Sequence, residues 1–286
     1  MLKRIVIRKR TLFFGLCTAC LTQACSKSDT EPTDTGPIKY VTELFDYQPA
    51  PGQFISQSLD NENGARSILR GNQGIVSLGA FGGYIVLGFD HPVINVPDKA
   101  DIAVYGNSMD NFAEPGVVWL MRDENGNGIP DDTWYEIQGS EFGKPGYVRD
   151  YMVTYFKPAT DTSDILWKDS SGNEGKIKRN NTHRQLYFPS WIDQDSYSLQ
   201  GSLLPSTNID QTNPDFITSA PFVYGYADNR YNGDEIDIAD AIDEKGVKVN
   251  LPSINFIKIQ TGILADLGRL GELSTEITAV EDLNIP

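Results

Sequence analysis

Apolar and aromatic residues fall in short runs along the 286-residue chain, and each run is cut off by Gly, Pro, Asn or Asp. Runs of this length, rich in β-branched and aromatic residues, predict strands, and no stretch beyond about ten residues keeps the 3.6-residue spacing of an amphipathic helix. The pattern places strands at 53–59, 74–78, 83–89, 102–105, 116–122, 133–138, 151–157, 222–226, 254–261 and 274–279. Their spacing predicts an all-β fold: an antiparallel β-sandwich of jelly-roll type with long loops. Segment 236–242 reads either as a strand, with Ile236 and Ile238 on one face, or as a helical turn through Ile238, Ala241 and Ile242. Between Pro158 and Pro221 the pattern loosens, and so long an irregular stretch is either a functional loop region or a place where short strands hide. No repeat of 20 to 50 residues is visible, which argues against a propeller or solenoid.

The first residues follow a different pattern. Lys3, Arg4, Arg8, Lys9 and Arg10 precede an apolar run, 11–24, that has the length of a secretory leader and is too short to span a bilayer. Leu21-Thr-Gln-Ala-Cys25 resembles a loose bacterial lipobox, which implies cleavage before Cys25 and lipid attachment to it. Gln23 departs from the usual small residue there, so Cys20, preceded by Thr18 and Ala19, stays open as the alternative. Residues 25–40 start polar and acidic with interspersed Pro, which predicts a flexible tether and resembles the surface-export signal of Bacteroidetes lipoproteins. The expected organisation is a leader at 1–24, a lipidated tether at 25–40, and one sandwich domain at 41–286 carrying a long insertion around 158–221.

Composition narrows the function. Cys17, Cys20 and Cys25 are the only cysteines, so the body has neither a disulfide framework nor a thiolate zinc site. The formal charge is −15, and losing the leader removes five positive charges more. Such an acidic body repels phosphate backbones, so no nucleic-acid partner is expected.

The sharpest motif is Asp123-Glu-Asn-Gly-Asn-Gly-Ile-Pro-Asp-Asp132. Oxygen-bearing side chains at Asp123, Asn125 and Asn127, a turn at Gly128, the carbonyl of Ile129, and Asp131 and Asp132 suit Ca²⁺, which takes six to eight oxygens. Trp134 stands where an EF-hand has its closing Glu, and the loop lies between strands. The other reading is a metal-free hairpin loop held by Asx turns. A second acidic run, Asp228 to Asp237, has less regular spacing and reads as a turn with solvated carboxylates.

Catalytic signals are sparse, and no enzyme is expected. His91 and His183 are the only imidazoles, and no nucleophile elbow or phosphate-binding loop accompanies them. His91 reads as a structural, hydrogen-bonded residue. Glu136 and Glu141 form a carboxylate pair of the kind a glycosidase uses, although a chain with 39 acids offers many such pairs. Gly79-Ala-Phe-Gly-Gly83 precedes a strand, so it reads as a tight turn with positive φ. Tyr187, Trp191, Tyr197 and Tyr231 lie in regions poor in aliphatics and are the candidate ligand surface, since their flat faces and polar edges suit a corrin or a sugar.

A family likeness is carried by Ser77-Leu-Gly-Ala-Phe-Gly-Gly-Tyr-Ile-Val-Leu-Gly-Phe-Asp-His-Pro92, Tyr105-Gly-Asn107, Glu114-Pro-Gly-Val-Val118, the 123–132 loop with Trp134-Tyr-Glu136, Gly225-Tyr-Ala-Asp-Asn229, Asn232-Gly-Asp234 and Gly271-Glu-Leu-Ser-Thr-Glu276. Together these resemble cell-surface lipoproteins of gut Bacteroidetes over nearly the whole body. Several such proteins are similar to products of vitamin B12 acquisition loci. That resemblance implies an outer-membrane lipoprotein, facing outward, that captures cobalamin for a TonB-dependent transporter. The run from the glycine-rich turn to Asp-His-Pro92 also resembles galactose-binding-like carbohydrate modules, which keeps a glycan ligand or an adhesive role open.

Overall fold

The computed structural model describes residues 36–56, 61–72 and 74–286. The leader, Cys25 and the tether as far as Thr35 lie outside the described residues.

In chain order the strands are β1 (Glu43–Gln48), β2 (Val76–Ser77), β3 (Tyr84–Ile94), β4 (Ile102–Gly106), β5 (Gly116–Met121) and β6 (Trp134–Ile137). There follow β7 (Val148–Phe156), β8 (Ile165–Asp169), β9 (Glu174–Ile177), β10 (Ser196–Leu203), β11 (Ile209–Asp210) and β12 (Thr218–Ser219). The last are β13 (Tyr226–Ala227), β14 (Asp234–Ile236), β15 (Ala241–Ile242), β16 (Ser253–Thr261) and β17 (Glu276–Asp282). A five-residue helix, α1 (Glu62–Arg66), is capped by the Asn61 side chain. Among the described residues no helix is long and apolar enough to cross a membrane.

The fold is an all-β antiparallel sandwich. A seven-stranded sheet runs β1-β3-β16-β5-β6-β15 with β13 on β5, and a four-stranded sheet runs β14-β4-β17-β2. Alternation decides which side chains meet between them: Ile85, Leu87 and Phe89 of β3 and Val118 and Leu120 of β5 pack with Ile102 and Val104 of β4. On β16 both Ile254 and Ile257 point into this core although their parity differs. A register shift between Ile254 and Phe256 resets the alternation, and a shift between Ile277 and Ala279 does the same for Ile277 and Val280 of β17. Each such fully buried aliphatic contributes roughly 1.5–3 kcal/mol.

A further four-stranded sheet, β10-β7-β8-β9, has its own core of Tyr151, Val153, Tyr155, Ile165, Phe188 and Leu199. Phe81 joins it to the sandwich, with its ring 5.3 Å edge-on from Tyr151 and its carbonyl accepting from Tyr155 Oη at 2.8 Å. Phe81 sits in the glycine-rich turn, where Gly79 and Gly82 have φ of +73° and +87°, as expected from the sequence. The amide of Gln260 on β16 donates to Gly82 O at 2.7 Å and to Gln200 O at 2.8 Å, tying the turn to β10.

Several strands differ from expectation. Residues 53–56 form turns, with Ser56 at φ +65°, and Gln57–Asp60 lie outside the described residues. The strand of this region is β1, upstream of Pro49 and Pro51. Residues 222–225 are irregular because Asn229 takes both backbone groups of Phe222, so pairing starts only at Tyr226. Stretch 158–221 contains β8 to β12, hidden by the Asp169–Asn173 turn and by polar outward faces. Segment 236–242 divides into the end of β14, a 3₁₀ turn capped by Asp237, and β15. At the tether end Lys39 pairs with Glu281 at 2.8 Å and Lys39 O accepts from Asp282 N, so the ordered body begins before residue 41.

A Cβ at Gly83 would stand 1.8 Å from Leu78 O and 2.5 Å from Ala50 N, both backbone atoms that cannot yield cheaply. We expect Gly83→Ala to lose more than about 3 kcal/mol of stability, read from urea unfolding.

Candidate functional site

Four segments far apart in sequence meet at a cleft of about 480 Å³: the turn after β1, the β4–β5 connection, residues 180–183 beyond β9, and the β16–β17 connection. Gln53 fixes their relation. This buried side chain donates Nε2 to Leu270 O at 2.6 Å and accepts from Asn180 Nδ2 at 2.7 Å, while its N–H donates to Glu272 Oε1 at 2.6 Å. Its carbonyl also accepts from the Gln185 amide. Three segments are therefore held by one residue, which is the kind of support a binding site on loops needs.

One wall is apolar, formed by Phe54, Met109, Phe112, Leu267 and Leu270. Phe54 meets the His183 ring edge-on at 4.8 Å. The other side carries Glu114, Glu272 and Glu276, with the amides of Asn107 and Asn180 beside them and Arg269 on the exposed rim. Glu114 Oε1 accepts the Ser274 N–H at 3.1 Å and Glu276 Oε2 accepts from Asn107 Nδ2 at 2.8 Å. Behind them the fully buried Asp228 accepts the Glu276 N–H on Oδ2 at 2.9 Å. Asp228 Oδ1 and Glu272 Oε2 are buried without a hydrogen-bond partner, which makes this corner costly for a charge.

The electrostatics follow. Burial, reinforced by the Glu276 charge, pushes the Glu114 carboxyl well above its usual range. Burial and then Glu114 do the same to Asp228. Burial lifts Glu272 to about 8 despite the Gln53 N–H, and lifts Asp234 to about 7 despite the N–H groups of Asn229 and Arg230. The 228–237 run is thus not a solvated turn at its key positions: Asp228 and Asp234 are buried because they accept backbone N–H groups of Glu276, Asn229 and Arg230.

The four aromatics expected to form a ligand surface are not brought together. Tyr187 is fully buried, under the Arg179 guanidinium at 4.6 Å. Tyr197 packs on Phe188 and Tyr155 and donates its hydroxyl to Pro49 O. Trp191 is 41% exposed and lies 6.4 Å from Tyr47 over a separate hollow of about 570 Å³. Tyr231, 70% exposed, stands in a third place beside Arg230 and Asn232.

The 123–132 loop joins β5 to β6. Asp123 Oδ1 accepts from the N–H groups of Gly126 and Asn127 and Oδ2 from that of Gly128. Asn125 and Asn127 turn their amides onto Asp131, Asp132 accepts from Glu124 N, and the Ile129 carbonyl accepts the Asp131 N–H. Among the described residues no three His, Cys, Asp or Glu side chains stand ready-grouped for a metal ion. The donor set still fits a hard cation: every candidate ligand is an oxygen, although Oδ1 of Asn125 and Asn127 already accept the N–H groups of Asn127 and Ile129, and among the described residues no basic side chain pairs with Asp123, Asp131 or Asp132.

His91 lies between Asp90 and Asp282, bonded to both. Glu136 is occupied by Tyr147, Arg149 and Ser202, and Glu141 by Ser140 and Lys144, so the two are not a facing pair. The cleft acids escaped the sequence reading as site residues, although all three sit in the runs that carry the family likeness. The available signal was an acid placed inside an apolar, strand-forming run. No protein-family model and no curated protein matches the chain, so its function is argued from the site itself.

An acid with a raised folded-state pKa binds its proton more tightly in the fold than in the unfolded chain, so stability falls as pH rises between the two values. For Glu272, which faces Glu114, Glu276 and Asp266, that window runs from its ordinary 4.5 to about 8. We expect the melting temperature to drop from pH 5 to pH 8, with each such group contributing up to about 1.4 kcal/mol per pH unit. Glu272→Gln should flatten part of that slope.

Proposed function

We propose that this chain is a lipid-anchored protein of the outer-membrane surface that captures a small ligand, cobalamin first, and passes it to a TonB-dependent transporter. It acts as a binder and not as a catalyst. The observation that carries the reading is the cleft, which pairs an apolar wall with convergent amides and carboxylates on segments fixed by Gln53. A corrin fringed with amides has a matching apolar face and hydrogen-bonding edge, and it would be gripped by an edge because the cleft is open. Anchoring at Cys25 follows from the leader pattern, and the acidic start of the tether supports an outward-facing position.

The test is retention of colour. The purified full-length chain, mixed with cyanocobalamin at micromolar concentrations of both, should elute red from gel filtration. Leu270→Ala, which trims an exposed part of the apolar wall, should weaken retention by about tenfold. A colourless protein fraction would sink the reading.

A second reading, a carbohydrate-binding or adhesive module, is favoured by one observation. The exposed Trp191 and neighbouring Tyr47 overlook a hollow lined by Asn61, Glu62, Asn63 and Arg66, a combination that suits stacking on a sugar face with planar polar groups around it. This reading expects glycan-array signals that disappear in Trp191→Ala while cyanocobalamin is ignored.

Calcium belongs to the same proposal as a structural ion of the 123–132 loop. Asp123 accepts three backbone N–H groups and its loss would loosen the loop with or without metal. Asp131, whose carboxylate accepts only the two Asn amides, is the better probe. We expect Asp131→Ala to lower the melting temperature more in Ca²⁺ than in EDTA. Equal losses would favour the metal-free turn.

A further inference from the structure

Carboxylates are buried at a cost unless a positive group or a full set of donors meets them. At the acidic end of the cleft neither condition holds. Glu114, Asp228 and Glu272 pair with no Lys, Arg or His among the described residues, and Glu272 Oε2 is buried at the cleft with no partner. Asp228, just behind, leaves Oδ1 unpartnered as well. Gly106 lets the Asp228 carboxylate pack directly against the backbone of β4, since a Cβ there would fall 2.2 Å from Asp228 Oδ1.

We propose that this end of the cleft selects a positively charged organic group, an ammonium or amidinium on an apolar frame, as the recognised part of the captured ligand. The inference rests on the cleft being the capture site and names a cationic occupant in place of cobalamin, which carries no ammonium or amidinium group. Glu272 and Glu114 release to solvent the protons that burial holds on them as they receive the cationic head, and Phe54, Phe112 and Leu270 cover the frame, with the phenyl faces adding cation–π attraction. A bare divalent ion fits less well, because it needs six or more oxygens, no three acids stand grouped for it among the described residues, and the apolar wall would have no role.

The experiment is calorimetric titration of the full-length chain with phenethylammonium and, in parallel, with phenethyl alcohol, its uncharged counterpart. The expected result is binding of the ammonium at least tenfold tighter than the alcohol. Glu272→Gln, which keeps an acceptor for the Gln53 N–H, should reduce the ammonium to the level of the alcohol. Glu114→Gln is the second variant if the first does not fold, as judged by its melting temperature. Equal binding of the two probes, or a preference that survives both variants, overturns the charge selection. If Leu270 then still governs retention of cyanocobalamin, which has no net charge, the capture site stands without it. If none of the three compounds binds, both readings fall. Calcium that displaces phenethylammonium in a Glu272-dependent way overturns the organic-cation assignment in favour of a metal.

Discussion

At Gly83 the backbone passes so close to Leu78 and Ala50 that a single methyl group has no place, and the sandwich core and the core of the β7–β10 sheet meet at this point. The contact lets β3 leave the turn beside β16, sets Phe81 into the core of the β7–β10 sheet, and brings Gly82 within reach of Gln260. Thr261 reinforces the same junction by donating its hydroxyl to Gly79 O at 2.9 Å. The position of Ala50 in turn fixes where the chain runs after β1, and hence where Gln53 lies. Packing at one turn is thereby transmitted to the segments that make the cleft.

The cleft itself contrasts with the rest of the interior. Elsewhere buried acids are matched: Glu136 has Tyr147, Arg149 and Ser202, and Asp282 has His91. Glu272 and Asp228 are half-satisfied, in a protein whose other buried polar groups are mostly well paired. An arrangement that keeps such groups must be over-determined by its surroundings, and local cost retained against packing is a mark of binding sites more than of scaffold.

Much of the sandwich was legible because its strands carry their apolar residues with period two: β4, β5, β6 and β16 stand where the pattern puts them. The pattern fails where parity is reset. The register shifts in β16 and β17 place consecutive inward residues at odd spacing, and the pairing of β8 with β9 depends on a turn organised by Asp169, whose side chain accepts from Ser171 and Asn173. Tyr187 and Tyr197 face inward, and a tyrosine in a polar stretch gives no sign of which way it points; only the pairing of β10 with β7 turns Tyr197 onto Tyr155. The cleft could not be read from spacing at all, since Gln53, Glu114, Asn180 and Glu272 come from four distant segments.

Strand β16 lies between β3 and β5, and β17 between β4 and β2, so the centre of each sandwich sheet is supplied by the last part of the chain. During synthesis β3, β4 and β5 exist long before the strands that separate and pair them, with their ladder edges open. Non-local pairing of this kind is slow to form, and it leaves no stable half-sandwich on the way. A molecule cut short before β16 would be left as sticky edges with no fold to fall back on.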